Sequence, residues 1–197
     1  RLDDVVSLTE RLVKVDSYAR EVENQSYEEV NGEVMKEVLD VAEDYLSSVD
    51  NLVERRFSCE GRESLVATFG DVKDVGLMLH GHLDVVSPDE DNYIGESEES
   101  HFEPVIETVE GEKRMYGRGT GDMKAGAACL MRVMKELSSE SPNIGLMLTT
   151  DEEKGGFRGT KYLLEEEGYN VEFAISAEPD HNENGYLDIV NKEKGVL

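Results

Sequence analysis

Four short stretches of the sequence place a histidine or several carboxylates where they could do chemistry. They are His80 to Asp84 (HGHLD), Asp122 within GRGTGDMKAG, Asp151 to Glu153 (DEE) and Glu178 to Asp180 (EPD). Carboxylates held close together repel one another, so such a cluster must take up protons or bind cations. Neutral imidazole with carboxylates suits zinc, cobalt or manganese, whereas calcium sites use oxygen ligands alone. The residues by themselves predict a mixed histidine and carboxylate metal site.

Each stretch has an ordinary structural interpretation when it is taken alone. A lone histidine at a strand end is more often structural than a ligand, and an aspartate at a helix start usually caps the helix or faces its dipole. A Glu-Glu pair carries little weight in a chain with 45 acidic residues. What favours function is that the HGHLD, DEE and EPD stretches each follow an apolar run.

Those apolar runs predict three strands covered on both faces: 75–79 (VGLML), 144–148 (IGLML) and 171–175 (VEFAI). A long helix separates the first two; it is expected to open at Asp122 and carries Met123, Ala127, Leu130, Met134 and Leu137. A shorter helix at about 159–166 separates the last two. This order predicts an α/β fold with a mostly parallel sheet flanked by helices. In open α/β sheets, ligands bind beyond the carboxyl ends of the strands, which is where the acidic stretches fall.

The rest of the chain supplies further elements. The spacing predicts a helix over 3–15 and a second helix that begins at Ser26, where Glu29 completes a capping box. Residues 52–59 and 63–69 indicate two strands joined by a tight turn. The acidic segment 86–113 is interpreted as a solvated surface excursion, and Cys129 as a small core residue.

The charge is extreme: 45 acidic residues oppose 20 basic ones, for a net charge of −25. Such a charge repels nucleic acid and anionic membranes, so neither is an expected partner. No apolar stretch is long enough to span a membrane and there is no signal-peptide pattern, so we expect a cytoplasmic protein. Because the acids are spread along the whole chain, we hypothesise a halophilic cytoplasm; the alternative is an ordinary acidic cytosolic enzyme.

Four motifs resemble the M20 family of metallohydrolases in order and spacing: GHLDVVSP (81–88), YGRGTGDMKAG (116–126), TTDEEKGGFRGT (149–160) and SAEPD (176–180). The similarity is greatest to the group of acetylornithine deacetylase, succinyl-diaminopimelate desuccinylase and related carboxypeptidases. It runs from about the first helix to the last residue. It implies a zinc-peptidase-like catalytic domain and hydrolysis of amide bonds in N-acyl amino acids or short peptides.

The resemblance also implies two divalent metal ions, zinc above all, with cobalt or manganese as alternatives. The implied metal ligands are His82, Asp122, Glu153 and Glu178. Asp122 corresponds to the carboxylate that bridges both ions, and the family usually has a cis peptide just after it.

Catalytic roles are implied for two more acids. Glu152 corresponds to the general base, and Asp84 to the partner that orients the imidazole of His82 through its ring N–H. His80 is interpreted as structural.

One departure from the family pattern concerns the far end of its chains, which are roughly twice this long. Family members carry a second metal-ligating histidine there, and a lid domain that supplies dimer contacts and substrate-binding groups. Neither His101 nor His181 fills that role convincingly. We therefore expect 1–191 to be the N-terminal part of a catalytic domain, 192–197 to begin the crossover to a lid/dimerisation domain absent from this chain, and the full-length enzyme to be a homodimer.

Two interpretations of function stay open at this point. The leading one is a dinuclear-metal amide hydrolase whose isolated 197 residues bind the second metal weakly and turn over little or no substrate. The other is a fragment or non-catalytic binding module that keeps the old fold.

Overall fold

The computed structural model of the protein describes residues 2–88, 101–140 and 142–179. These residues form seven strands: β1 Leu52–Cys59, β2 Arg62–Phe69, β3 Asp74–His82, β4 Val105–Val109, β5 Glu112–Tyr116, β6 Ile144–Thr149 and β7 Asn170–Ser176. Five of them make one sheet in the spatial order β1-β2-β6-β3-β7, and β4 pairs with β5 in a separate hairpin.

The central sheet is mixed. β3 lies between β6 and β7 and is parallel to both, as the apolar runs predicted. β1 and β2 are antiparallel to each other, and β2 is antiparallel to β6. Glu60 and Gly61, which join β1 to β2, both have left-handed φ values, 49° and 77°. Such a two-residue turn reverses the chain directly and accounts for the antiparallel side of the sheet.

Four helices cover the sheet: α1 Leu2–Val13, α2 Tyr27–Leu46, α3 Ala125–Leu137 and α4 Thr160–Glu165. Residues of α1, α2 and α3 share one apolar core with β2, β3 and β6. On the other face, Leu163 of α4 packs with Val66, Met78 and Met147. Helices on both faces make the α/β layering predicted from the sequence, and explain why the central strands are apolar without alternation.

The predicted start of α2 is confirmed. The Ser26 N–H donates to Glu29 Oε2 at 2.8 Å, and the Glu29 N–H donates to Ser26 Oγ at 3.3 Å. Each side chain thereby satisfies a backbone N–H that the first helical turn leaves without an intrahelical acceptor.

Three details differ from the sequence-based expectations. The segment 86–113 is not wholly irregular, because β4 and the start of β5 lie in it. Cys129 is exposed on α3 and is not a core residue. β7 is not covered on both faces in the described part of the chain: as the edge strand, it leaves the side chain of Phe173 65% exposed.

Residues 192–197, expected to begin a crossover to another domain, lie outside the described residues, as does His181. None of the helices in the described part of the chain is both long and apolar enough to span a membrane.

Candidate metal centre

Three parallel strands end at the same edge of the sheet, and each delivers part of the site. β3 ends at His82, β6 ends just before the acidic run 151–153, and β7 ends just before Glu178. Asp122 belongs to a fourth segment, the irregular turn Thr120–Lys124 that precedes α3. The sheet topology therefore brings together residues that are far apart in sequence.

His82 lies at the centre of the cluster and has no solvent exposure. Its Nε2 atom is 3.0 Å from Asp122 Oδ1, 3.4 Å from Glu178 Oε2 and 3.8 Å from Glu152 Oε2. Potential ligand atoms of His82, Asp122 and Glu153 all lie within 4.8 Å of one another. One buried imidazole nitrogen thus faces the carboxylates that the sequence singled out.

Asp122 is not part of the helix that it was expected to open. Its φ and ψ of −112° and 102° are extended, and the Asp122–Met123 peptide bond is cis, as the resemblance implied. α3 begins three residues later at Ala125.

The proton affinities of the cluster reflect its crowded negative charge. Burial alone would lower the pKa of His82, but hydrogen bonds to Asp122, Asp84 and Glu178 outweigh it and raise the pKa above its ordinary value. Burial, reinforced by Asp122, raises the pKa of Glu153 to about 7. Burial also raises the pKa of Glu152, whereas the hydrogen bond from His82 lowers the pKa of Asp122. The neighbouring carboxylates thus favour the protonated form of His82.

Asp84 is buried and serves two neighbours. Its carboxylate accepts the Glu152 N–H at 3.3 Å and the Glu153 N–H at 3.1 Å. His82 Nδ1 lies 2.9 Å from the backbone oxygen of Asp84 and 3.5 Å from its carboxylate. The imidazole is oriented mainly by the Asp84 carbonyl, and the carboxylate fixes the backbone that carries the two glutamates.

Lys124 is a supporting residue that the sequence did not single out. It is completely buried, and its Nζ donates to the carbonyls of Leu12 and Val15, both at 2.9 Å. Burial lowers its pKa to about 7. Two residues after Asp122, it ties the turn before α3 to the end of α1.

Asp151, the first acid of the DEE run, holds that run in place through two buried contacts. It is 1% exposed, accepts from Arg62 Nε at 2.7 Å, and accepts the Arg158 N–H at 2.7 Å. Three consecutive acids are the only sequence signal of this role, and they do not reveal which basic residue pairs with the first.

Neither of the other described histidines joins the cluster. His80 Nε2 lies 2.8 Å from Thr160 Oγ1, and burial together with nearby His82 lowers the His80 pKa to about 4. This neutral, hydrogen-bonded histidine fits the structural role expected for it. His101 offers a backbone carbonyl to the Arg118 N–H at 2.7 Å and lies outside the group of potential ligands.

Two cavities flank the carboxylates. One, of about 510 Å³, is lined by Tyr116, Arg118, Thr120, Asp122 and Glu153, among others. The other, of about 410 Å³, is lined by His80 and Glu152 together with Gly155, Gly156 and α4 residues. Potential ligands therefore border one cavity, and Glu152 borders the other.

The donor set fits a borderline divalent cation such as zinc. Such an ion requires nitrogen and oxygen ligands that lie close together and carry net negative charge. The buried imidazole of His82 and the carboxylates around it meet both requirements. The carbonyl acceptor at Nδ1 favours the tautomer that leaves Nε2 free to bind a metal.

The stretch of sequence that carries these residues is similar to known proteins. The model of peptidase family M20/M25/M40 matches residues 78–191. The succinyl-diaminopimelate desuccinylase of a Nitratiruptor species is 40% identical over 107 residues, which are 52% of this chain and 27% of that enzyme. The Helicobacter pylori desuccinylase is 35% identical over 113 residues, 55% of this chain and 27% of that enzyme. The matched part thus spans less than a third of these relatives.

Solved structures share the fold at low sequence identity. Human carnosine dipeptidase 1 has a TM-score of 0.66 at 19% identity, covering 89% of this chain and 38% of that one. The M20 family metallo-carboxypeptidase Sso-CP2 of Sulfolobus solfataricus also has a TM-score of 0.66, at 18% identity, covering 93% of this chain and 39% of that one. Both similarities are similarities of fold alone.

Proposed function

Because this chain belongs to peptidase family M20/M25/M40, we propose that its carboxylate cluster binds two divalent metal ions and hydrolyses amide bonds. The observation that carries the proposal is the buried Nε2 of His82, which lies within 3.8 Å of carboxylate oxygens from Asp122, Glu152 and Glu178. Such crowding of negative charge is costly unless cations neutralise it.

In the proposed centre, His82, Asp122, Glu153 and Glu178 would hold the two ions, with Asp122 shared between them. Zinc suits this combination of imidazole and carboxylates best, with cobalt or manganese as substitutes. The second ion would lack a histidine ligand among the described residues. We propose that this ligand, the rest of the substrate pocket and the dimer contacts come from chain beyond these residues.

When bound, two divalent cations lower the pKa of a water molecule and polarise the scissile carbonyl. Glu152 is the proposed general base: it takes a proton from the attacking water and delivers it to the leaving amine. Burial raises the pKa of Glu152, which makes its carboxylate a better proton acceptor. Asp84 holds the N–H groups of Glu152 and Glu153, and so keeps the base and a metal ligand in fixed relation.

The proposed substrates are N-acyl amino acids or short peptides. The names of the similar proteins support this class, since they include succinyl-diaminopimelate desuccinylases and a carnosine dipeptidase. The two cavities support it as well, because each is lined in part by carboxylates of the cluster.

Glu152→Gln in the complete gene product that contains these residues tests the proposal. Loss of a general base should lower kcat by about 100- to 10,000-fold, while metal content measured by mass spectrometry stays at the wild-type level. Glu37→Gln, on the exposed face of α2, is the matched control and should change neither quantity. A protein that binds metal but is inactive both with and without the substitution would instead be a binding module.

A further inference from the structure

Two buried polar atoms beside the metal centre have no hydrogen-bond partner among the described residues. They are Arg118 Nε and Thr120 Oγ1. Both residues line the cavity of about 510 Å³ that also contains Asp122 and Glu153. Buried polar groups in folded proteins are nearly always hydrogen-bonded. Arg118 and Thr120 are therefore residues of this cavity wall whose hydrogen bonding is incomplete within the described ranges.

The charge of Arg118 is also uncompensated in the described part of the chain. Every other arginine described there has a side-chain nitrogen within 4.0 Å of a carboxylate. Arg118 makes no such pair, although the net charge is −25 and two acids border its cavity. A guanidinium left without a carboxylate in so acidic a protein is available to bind one from outside.

The backbone around Arg118 is fixed by tight packing. A Cβ atom on Gly117 would lie 2.7 Å from Val13 Cγ1, so only glycine allows the chain to lie this close to α1. Gly119 has a left-handed φ of 78°, and the Arg118 N–H donates to the His101 carbonyl at 2.7 Å. The guanidinium is thus presented from a fixed point on the cavity wall.

We propose that Arg118 and Thr120 bind a carboxylate group of the amide substrate. The inference rests on the proposed function, since the cavity is otherwise not a substrate pocket. The guanidinium can donate two parallel hydrogen bonds to a carboxylate, and the Thr120 hydroxyl, now buried, can donate a third once its side chain turns toward the cavity. Metal ions would neutralise the acids that border the cavity, so the positive charge of Arg118 remains to attract an anion. Arg118 is on this account the specificity-determining residue for acidic substrates.

The carboxylate could belong to either half of the substrate, and three probes separate the possibilities. N-acetyl-L-leucine carries it on the amine side, N-succinyl-L-leucinamide on the acyl side, and N-acetyl-L-leucinamide has none. We would measure kcat/KM for each with the zinc-loaded complete gene product, and binding of each to the Glu152→Gln protein by calorimetry. A charge-assisted hydrogen-bonded contact should favour one acidic probe over the neutral one by about 10- to 100-fold.

Substitutions test whether the preference for an acidic probe comes from Arg118 and Thr120. Arg118→Gln should bring the preferred acidic probe to within about threefold of the neutral probe, and leave the neutral probe within about threefold of wild type. Arg118→Lys keeps the charge but loses the planar fork, and should retain part of the preference. Thr120→Val should weaken the acidic probe by about fivefold, as expected for one hydrogen bond. Arg114→Gln, on the neighbouring hairpin and paired with Glu112, should change nothing.

Several results would overturn the inference. Equal kcat/KM and equal binding for all three probes in the wild-type protein would do so without any variant, as would an Arg118→Gln protein that weakens all three alike. If the wild-type protein hydrolyses none of the probes, the proposed function has failed. Calorimetry then still decides about Arg118: preferential binding of an acidic probe that Arg118→Lys weakens supports the site, and no preference refutes it.

Discussion

Asp84→Asn should weaken metal binding at the proposed centre without changing a proposed metal ligand. The Asp84 carboxylate receives two backbone N–H groups, from Glu152 at 3.3 Å and from Glu153 at 3.1 Å. Asparagine keeps one acceptor oxygen and replaces the other by an amide that can only donate. One of the two N–H groups would then face a donor, and the remaining hydrogen bond would lose its charge.

The size of the effect follows from these two losses. A buried N–H left unsatisfied costs about 1–3 kcal/mol, and replacing a charged acceptor by a neutral one costs roughly 1 kcal/mol more. If the backbone at 152–153 shifts to restore the lost hydrogen bond, Glu153 is displaced and metal affinity falls. Substitutions of residues that orient metal ligands typically reduce metal affinity about 10- to 100-fold, which is about 1.4–2.8 kcal/mol. The two estimates agree in scale.

Asp84→Asn also removes one negative charge from a repelling cluster, and this can stabilise the metal-free protein. The quantity to measure is therefore the zinc dissociation constant, together with the rise in Tm that zinc produces. We expect zinc binding to be about 10- to 100-fold weaker and the rise in Tm to be smaller. Asp71→Asn makes the same charge change at a side chain that is 67% exposed and pairs with Arg55, so it is the matched control. If the zinc affinity of the Asp84→Asn protein stays within about threefold of wild type, Asp84 does not position the residues that bind zinc.

Four further predictions concern one buried ion pair, one glycine, the pH dependence of zinc binding and the salt dependence of stability. Arg62→Met leaves Asp151 buried without its ion-pair partner and should lower the free energy of unfolding by about 3 kcal/mol, measured by urea titration; no change would contradict the role of Arg62 as its anchor. Gly119→Ala forces a left-handed φ on alanine and places its Cβ in a clash with Val85 Cγ1, so it should cost at least about 1–3 kcal/mol. Gly121→Ala, with open space around its Cβ position, should cost much less. Zinc must displace protons from the cluster, where burial raises the pKa of Glu153 to about 7, so zinc affinity should rise as pH increases from about 6 to about 8; constant affinity would contradict this. Finally, if the charge of −25 is a halophilic adaptation, the protein should be more stable in molar KCl than at low salt, and equal stability would remove that hypothesis.

The sequence was most informative where hydrophobic runs meet polar residues. The runs before His82, Asp151 and Glu178 predicted β3, β6 and β7. Helices cover β3 and β6 on both faces, which accounts for their unbroken apolar side chains, whereas β7 is an edge strand. Parallel pairing then brings the residues that follow onto one edge. Local signals also worked at Ser26, where the capping box depends on residues three apart.

Contacts between distant segments could not be predicted from spacing. Asp151 meets Arg62 across 89 positions, and Lys124 meets Leu12 across 112. A lysine in a motif is normally expected at the surface, yet Lys124 is fully buried by contacts that exist only once α1 has packed.

The β4–β5 hairpin was overlooked because its acidic residues suggested a solvated loop. Its turn residues, Glu110 and Gly111, have left-handed φ values of 54° and 86° that suit a two-residue hairpin turn. The same Glu-Gly pair forms the β1–β2 turn at 60–61, which was predicted. The turn residues were therefore a usable signal at 110–111, and the surrounding acidic residues led it to be overlooked.

Anomalous diffraction at the zinc absorption edge, from crystals of the complete gene product grown with zinc, tests the metal centre most directly. Two peaks are predicted at the edge of the sheet, with Asp122 bound to both ions, His82 bound to one through Nε2, and Glu152 bound to neither. A map with no peak beside His82, or with Glu152 serving as a ligand, would contradict the proposed assignment of metal ligands and base.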